Sequence, residues 1–175
     1  RPDVVGAALA ADLAELQDAM PDFGLDGARA VIGDSFGLDA DRLFPELGAP
    51  IAAASIAQVH KATVTDRDGR RRDVAVKVLR PGIDRRIASD LAGFYLAARL
   101  IEAVAPRVRR LRPVAVVDTL ARSLTLEMDL RLEAAALSEM AQNTANDDDF
   151  RVPTVDWRRT SRSVLTMEWI DGIKL

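Results

Sequence analysis

The spacing of apolar positions switches between a helical and a strand period along this chain. In residues 2–20, Val4, Val5, Ala8, Leu13 and Leu16 recur three and four apart, with Asp12, Glu15 and Asp18 outside the stripe, which predicts an amphipathic helix ended by Pro21. Asp26 is placed to cap a second helix from Gly27 to Phe36, stopped by Gly37, and Asp39 a short turn through Phe44. Pro45 and Pro50 then frame an extended approach to a run of alanines. From Ile56 to Thr65 the pattern alternates and is rich in β-branched residues, so a strand is predicted. Asp66-Arg67-Asp68-Gly69 is a turn signal, and Asp73 to Leu79 is the returning strand, closed by Pro81-Gly82.

The helical period resumes from Ile83 to Val104, where Ile87, Leu91, Phe94, Tyr95, Ala98 and Ile101 form the stripe. Pro106 ends it, and Arg107, Arg109, Arg110 and Arg112 make a basic connector. Pro113 suits the first turn of a further helix reaching about Gln142. A polar, acidic loop over 143–149 leads to two last strands, Val152 to Trp157 and Val164 to Ile170. The order predicts an α+β fold: a helical extension over 1–45, then over 46–175 a small antiparallel sheet interrupted by a long helix pair.

Composition narrows the function classes. Among 175 residues, 49% are hydrophobic and 29% charged, as in a globular domain with a real core. A net charge of −3 does not favour nucleic acid, and few aromatics are present for base stacking. There is no cysteine and a single histidine, His60, which argues against disulfides and a zinc site; no metal site is assigned to this chain. His60 reads as a core or edge residue of the first strand. No apolar run approaches the ~18–20 residues of a membrane span. Both ends read as cut, so a piece of a longer protein is expected.

The chemistry gathers at Ala52-Ala53-Ala54-Ser55-Ile56-Ala57-Gln58-Val59 and Val74-Ala75-Val76-Lys77. The first has the rhythm of a kinase phosphate loop, G-x-G-x-x-G-x-V, with alanine at every glycine position. The second matches the V-A-[IV]-K strand that carries the phosphate-pairing lysine. Small residues let backbone N–H groups approach phosphate, and lysine supplies a point charge on a long arm. Alanine resists φ > 0, so this loop is expected to be stiffer than a glycine one. Each piece alone has a plain alternative, since three alanines suit a helix and VAVK suits any buried strand. Arg70, Arg71 and Arg72 read either as a phosphate contact or, preferably, as a solvated hairpin tip.

Three acids, Glu127, Asp129 and Glu133, lie among leucines and alanines of the last predicted helix. Acids in apolar surroundings need partners. One can pair with Lys77, as a kinase requires; Arg122 and Arg131 offer ordinary helical pairs; an acid–base dyad ranks below both. On one continuous helix Glu127 would point roughly 120° away from Glu133.

Together these pieces resemble the UbiB-like atypical kinase family, tied to ubiquinone biosynthesis. The resemblance is carried by Arg1-Pro2-Asp3, Glu15-Leu16-Gln17-Asp18, residues 50–62, Val74 to Lys77, Glu127-Met128-Asp129 with Glu133-Ala134-Ala135, Arg151-Val152-Pro153 and residues 167–172. It spans nearly the whole chain in order. It implies a kinase-like N-terminal lobe that binds ATP with Mg²⁺, the metal's ligands lying in a second lobe outside this sequence. Lys77 would contact the phosphates and pair with Glu133, and Ala52, Ala53, Ala54, Ser55, Ile56 and Ala57 would cover them. Met167 would be the gatekeeper. The Glu168 carbonyl and Ile170 N–H would bond adenine, with Val59 and Ala75 against its faces. Glu127 and Asp129 match the regulatory E-x-D motif, which in the family meets a K-x-G-Q segment that folds over the site.

That segment is absent from this sequence, as are the catalytic-loop Asp and Asn and D-F-G, so this stretch alone is expected to bind nucleotide weakly and not to transfer phosphoryl groups. Ala136 stands where the family often has Asn. The implied partners are nucleotide and quinone-biosynthesis proteins or lipid, not nucleic acid. The implied location is cytoplasmic, with membrane association only through segments outside this chain. The alternative function is a pseudokinase-type scaffold or lipid-responsive adaptor without chemistry.

Overall fold

The computed structural model describes residues 21–105, 107–147 and 149–172. The helix expected over 2–20 lies outside them. The described elements are α1 (Gly24–Phe36), α2 (Ala40–Leu43), β1 (Glu46–Ala53), β2 (Ala57–Thr65), β3 (Arg71–Leu79), α3 (Ile83–Val104), α4 (Pro113–Glu127), α5 (Leu130–Asn143) and β4 (Val164–Glu168). Single 3₁₀ turns lie at Arg109–Leu111 and Trp157–Arg159. The four strands form one antiparallel sheet in the order β1-β2-β3-β4. This is an α+β fold with the character of a kinase N-terminal lobe.

Strand alternation sorts side chains onto two faces. The back face carries Ala62, Val64, Val74, Val76, Val78 and Val164, which pack with Ala28 and Ile32 of α1, Phe44 and Leu47. The front face carries Ala57, Leu79 and Leu165, which pack with Ile87 of α3, Met128, and Leu130 and Ala134 of α5. The three valines of β3, at 74, 76 and 78, alternate along the strand and all face back. β1 is an edge strand, and its register shifts on either side of Pro50; a residue without an N–H belongs at an edge or bulge.

His60 is fully buried on the back face. Its Nδ1 lies 2.8 Å from the Gly48 carbonyl, which only accepts, so Nδ1 donates and Nε2 accepts. The Gln58 amide nitrogen donates to that Nε2 at 2.8 Å and to Gly24 C=O at 3.2 Å, while Gln58 Oε1 accepts from Phe23 N–H at 3.0 Å. One polar chain thus ties the start of α1 to β2 and β1.

Several expectations need correction. The helix predicted from Pro113 to Gln142 is two: α4 ends at Glu127, and Asp129 caps α5 by accepting from Arg131 N–H. A short acid that satisfies its own helix start outweighs the apolar periodicity running through it. Val152 to Trp157 is not a strand. Only Val155 bridges to Met167, and Asp156 turns inward to start the 3₁₀ turn.

Arg72 is not a solvated tip. It donates to Asp66 at 2.9 Å and to Asp156 at 2.7 Å, and Arg159 reaches the same Asp156 oxygen at 2.8 Å. Finally, the stripe on α3 is only partly covered. Ile87 and Ala98 are buried, but Phe94 and Ile101 are 52% and 42% exposed. Distal α3 packs on α4, joined by Tyr95 Oη donating to Asp118 at 2.8 Å. The helical boundary at the other end also shifts, since α1 begins at Gly24 and Asp26 lies in its first turn.

Candidate functional site

The site forms on the front face where β1, β2 and β3 meet α5. Val76 and Val78 face the back core, so Lys77 between them faces front. It stands in register with Val59 of β2 and Leu165 of β4, and one step along, Ala75 pairs with Met167. Val59, Ala75, Lys77 and Met167 therefore share one floor. Ile56 packs at the edge of the front cluster.

α5 brings the carboxylate. Leu130, Ala134 and Leu137 pack on the front cluster, and Glu133 takes the i+3 place in the same stripe, so it faces the sheet. Leu130 N–H donates to Arg162 C=O at 2.9 Å, which fixes the start of the helix against the loop before β4. Lys77 Nζ donates to both Glu133 oxygens, at 2.9 and 2.7 Å. The side chains are 26% and 41% exposed, so the pair has solvent on one side and can exchange part of its contact for an anion.

The helix break changes the place of the E-x-D acids. Because α4 ends at Glu127, this residue, Asp129 and Glu133 line one open cleft of about 360 Å³ with Lys77, Ile56 and Leu126. Asp129 is taken up locally: Arg131 donates to it at 2.8 and 2.6 Å. These bonds hold its carboxyl below the ordinary carboxylate value, outweighing burial. Both pairings considered from the sequence therefore occur, on different acids.

The alanine run is divided between elements. Ala52 and Ala53 end β1, Ala54, Ser55 and Ile56 make the turn, and Ala57 opens β2. The turn is closed by Ala54 N–H donating to Ala57 C=O at 2.8 Å. It is no helix, and it projects beside the Lys77 cleft through Ile56. Arg80, which carried no signal in the sequence beyond its place before Pro81, donates through Nε and Nη2 to Ala54 C=O at 3.1 and 2.9 Å.

At the other end of the floor, Glu168 N–H is taken by Thr154 C=O at 2.8 Å, and its side chain pairs with Arg151. Trp169 N–H reaches Asp73 C=O at 3.4 Å, and Ile170 beyond it is exposed. Lys61 Nζ lies 4.8 Å from the Trp169 ring centre and 2.8 Å from Asp73. A wider cleft of about 840 Å³ borders Arg72, Asp73, Asp156 and Trp169. Of its charged walls Arg72 pairs with Asp156, Asp73 with Lys61, Arg71 with Glu46 and Glu168 with Arg151, and Lys77 does not line it. Among the described residues there is no group of three or more His, Cys, Asp or Glu side chains arranged to hold a metal ion. None of the described helices is long and apolar enough to cross a membrane.

Comparison with known proteins agrees with this geometry. The model of the ABC1 atypical kinase-like domain matches residues 15–175. The chain is 41% identical to a probable protein kinase UbiB of Marinobacter nauticus, a match covering 100% of this chain and 31% of that protein. It is 39% identical to a probable protein kinase UbiB of Xanthomonas oryzae pv. oryzae and 38% to one of Cellvibrio japonicus, each match covering 99% of this chain and 31% of the relative. The chain thus spans about a third of the length of these curated relatives. A lysine strand, a helix acid and a small-residue turn on one sheet face, together with these matches, place the protein: it belongs to the ABC1 atypical kinase-like family, in its UbiB-like branch.

Proposed function

We propose that this chain is the ATP-binding part of an atypical kinase-like protein or ATPase that supports ubiquinone biosynthesis. The observation that carries the reading is Lys77, held by both oxygens of Glu133 beside a tight glycine-free turn. In this reading Lys77 meets the α/β-phosphates, and Glu133 orients its ammonium. Ala52 to Ala57 cover the phosphates with backbone rather than side chains. Val59 and Ala75 pack against adenine from the sheet floor, Met167 guards the rear of its pocket, and the Glu168 carbonyl and Ile170 N–H bond its edge.

The residues present fit a triphosphate in one respect that is chemical rather than formal. The cleft presents an ammonium beside a turn of mostly small residues, and of the acids that line it with Glu133, Asp129 is paired with Arg131. Mg²⁺, when bound with the nucleotide, would offset the charge of the phosphates. This chain's own part is to orient Lys77 and to shape the cover. The link to quinone lipids rests on the family alone.

Titration of Mg-ATP into the full-length protein tests the reading. Saturable binding that Lys77→Ala weakens at least tenfold is expected; a full-length protein that binds no ATP, or binds it regardless of Lys77, would refute it. The uncovered apolar side of the α3–α4 hairpin favours a second reading, a scaffold that uses the kinase shape without chemistry: Phe94, Val104 and Val116 there are 52%, 79% and 62% exposed. That reading requires cells dependent on the protein to tolerate Lys77→Ala.

A further inference from the structure

The turn over the proposed phosphate site is held from behind. Arg80 follows Val78 in the alternation of β3, so its side chain lies on the back face with α1, while Lys77 lies on the front. From there Arg80 fixes two carbonyls of one short turn. Its guanidinium donates twice to Ala54 C=O, at 3.1 and 2.9 Å, and its main-chain N–H donates to Ile56 C=O at 2.9 Å. A trans peptide is planar, with its C=O and N–H pointing in opposite directions. Drawing Ala54 C=O to the back therefore turns Ser55 N–H to the front, the side of Lys77. The guanidinium charge also polarises that peptide, which makes Ser55 N–H a better donor to an anion.

Arg80 is itself backed by an aromatic ring. Phe23 stands 5.6 Å from its guanidinium carbon, face on, a distance at which a cation and a ring attract. The N–H of Phe23 is held in turn by Gln58, the residue after Ala57. The segment leading into α1 therefore touches the turn by two routes, through Arg80 to Ala54 and through Gln58 to the first residues of β2.

We propose that Arg80 is the positioning residue of the phosphate-covering turn, and that Phe23 links the placement of the segment before α1 to the shape of that turn. This rests on the nucleotide reading above. Glycine loops adapt their backbone to phosphate; an alanine turn cannot visit φ > 0 cheaply, so its donors must be aimed in advance. Arg80 does this without entering the cleft. Loss of Arg80 therefore acts on the phosphates and spares the base.

The test is calorimetric titration of the full-length protein with Mg-ATP, Mg-ADP and adenosine. Arg80→Met keeps the length of the side chain and removes its donors. It is expected to weaken both nucleotides about tenfold, the size of a lost charge-assisted hydrogen bond, and to leave adenosine within about twofold. Arg80→Lys, with one cation but no fork, should restore part of the loss. Phe23→Leu should fall between the native protein and Arg80→Met. Native-like Mg-ATP binding by Arg80→Met, or an equal loss for adenosine, overturns the proposal.

Should Arg80→Met not fold, Arg80→Lys and Phe23→Leu decide the matter: if both keep the native ratio of ATP to adenosine affinity, the proposal is wrong. Failure of the native protein to bind Mg-ATP, or indifference of its binding to Lys77→Ala, removes the nucleotide reading and this proposal with it. A native protein that binds through Lys77 but ignores Arg80 removes this proposal alone.

Discussion

Lys77 and Glu133 meet at 2.7 and 2.9 Å although 56 positions of chain separate them. The intervening chain leaves the sheet as α3, returns as α4, and is halted by Asp129 so that α5 starts at the cleft. The acid reaches the lysine because of that halt, not because of a helix running through it.

Glu133→Gln keeps shape and one acceptor but removes the charge. The pair is partly solvated, so apo stability should change by less than about 1 kcal/mol. Mg-ATP affinity of the full-length protein should fall, because Lys77 is then no longer oriented. Thermal unfolding with and without Mg-ATP separates the two effects: the native protein should show a ligand-induced rise in Tm that the variant largely lacks.

Asp129→Ala removes the cap that starts α5. A lost aspartate cap costs about 1 kcal/mol, and Asp129→Ser should recover most of it. Because Arg131 holds the Asp129 carboxyl below its ordinary value of 3.8, this contribution is complete above that value and is lost as the pH falls through the lowered native one. Denaturant midpoints at neutral and acid pH check both the size and the sign.

Burial holds His60 below its ordinary value of 6.5, against the opposing pull of the Gly48 carbonyl and the Asp22 charge. The unfolded chain therefore takes up this proton at higher pH than the native protein. The resulting stability is complete above pH 6.5 and is lost as the pH falls toward the lowered native value. Protonated His60 would also set a second donor against the Gln58 amide. Denaturant midpoints should decline below about pH 6.5, with the Phe23 and Gly24 amide resonances shifting in step, and His60→Gln should flatten the dependence.

Asp156 is buried between Arg72 and Arg159, which donate to the same oxygen at 2.7 and 2.8 Å. Burial alone would raise its carboxyl value, but the two arginines outweigh it and hold the value low. Asp156→Ala leaves both cations without this partner and should cost about 3 kcal/mol, the lower part of the range for breaking a buried pair because Arg72 keeps Asp66 and some solvent. A lowered denaturant midpoint with an unchanged slope is the expected result.

Ile32 of α1 has no exposed surface and packs on the valines of β3. Ile32→Ala should cost about 3 kcal/mol and should lower the stability of the sheet itself, not only of the helix. Hydrogen exchange at the β3 amides distinguishes the two: protection there should fall together with that of α1.

Local signals in the sequence were enough for the elements whose cause is local. Pro81-Gly82 and Pro106 bracket a helix that runs from Ile83 to Val104 as expected. The alternation from Ile56 to Thr65 became β2, and Asp39 caps its turn. The VAVK motif made Lys77 conspicuous; the apolar stripe left three acids open as its partner, and the family resemblance singled out Glu133. Where two local signals competed, periodicity misled: it ran through Asp129, and it made a strand of residues 152–157 that pair only at Val155.

By itself, then, the sequence determined the kind of each long element, the buried valine strand and the family, because hydrophobic period, turn chemistry and motif spacing act over a few residues at a time. Only the tertiary structure decided that Glu127 shares the Lys77 cleft, that Arg72 is drawn inward, and that Arg80 holds the alanine turn. Each of these depends on where distant backbone lies in space. A charge chooses its partner by distance and burial, and neither is written in the order of the residues.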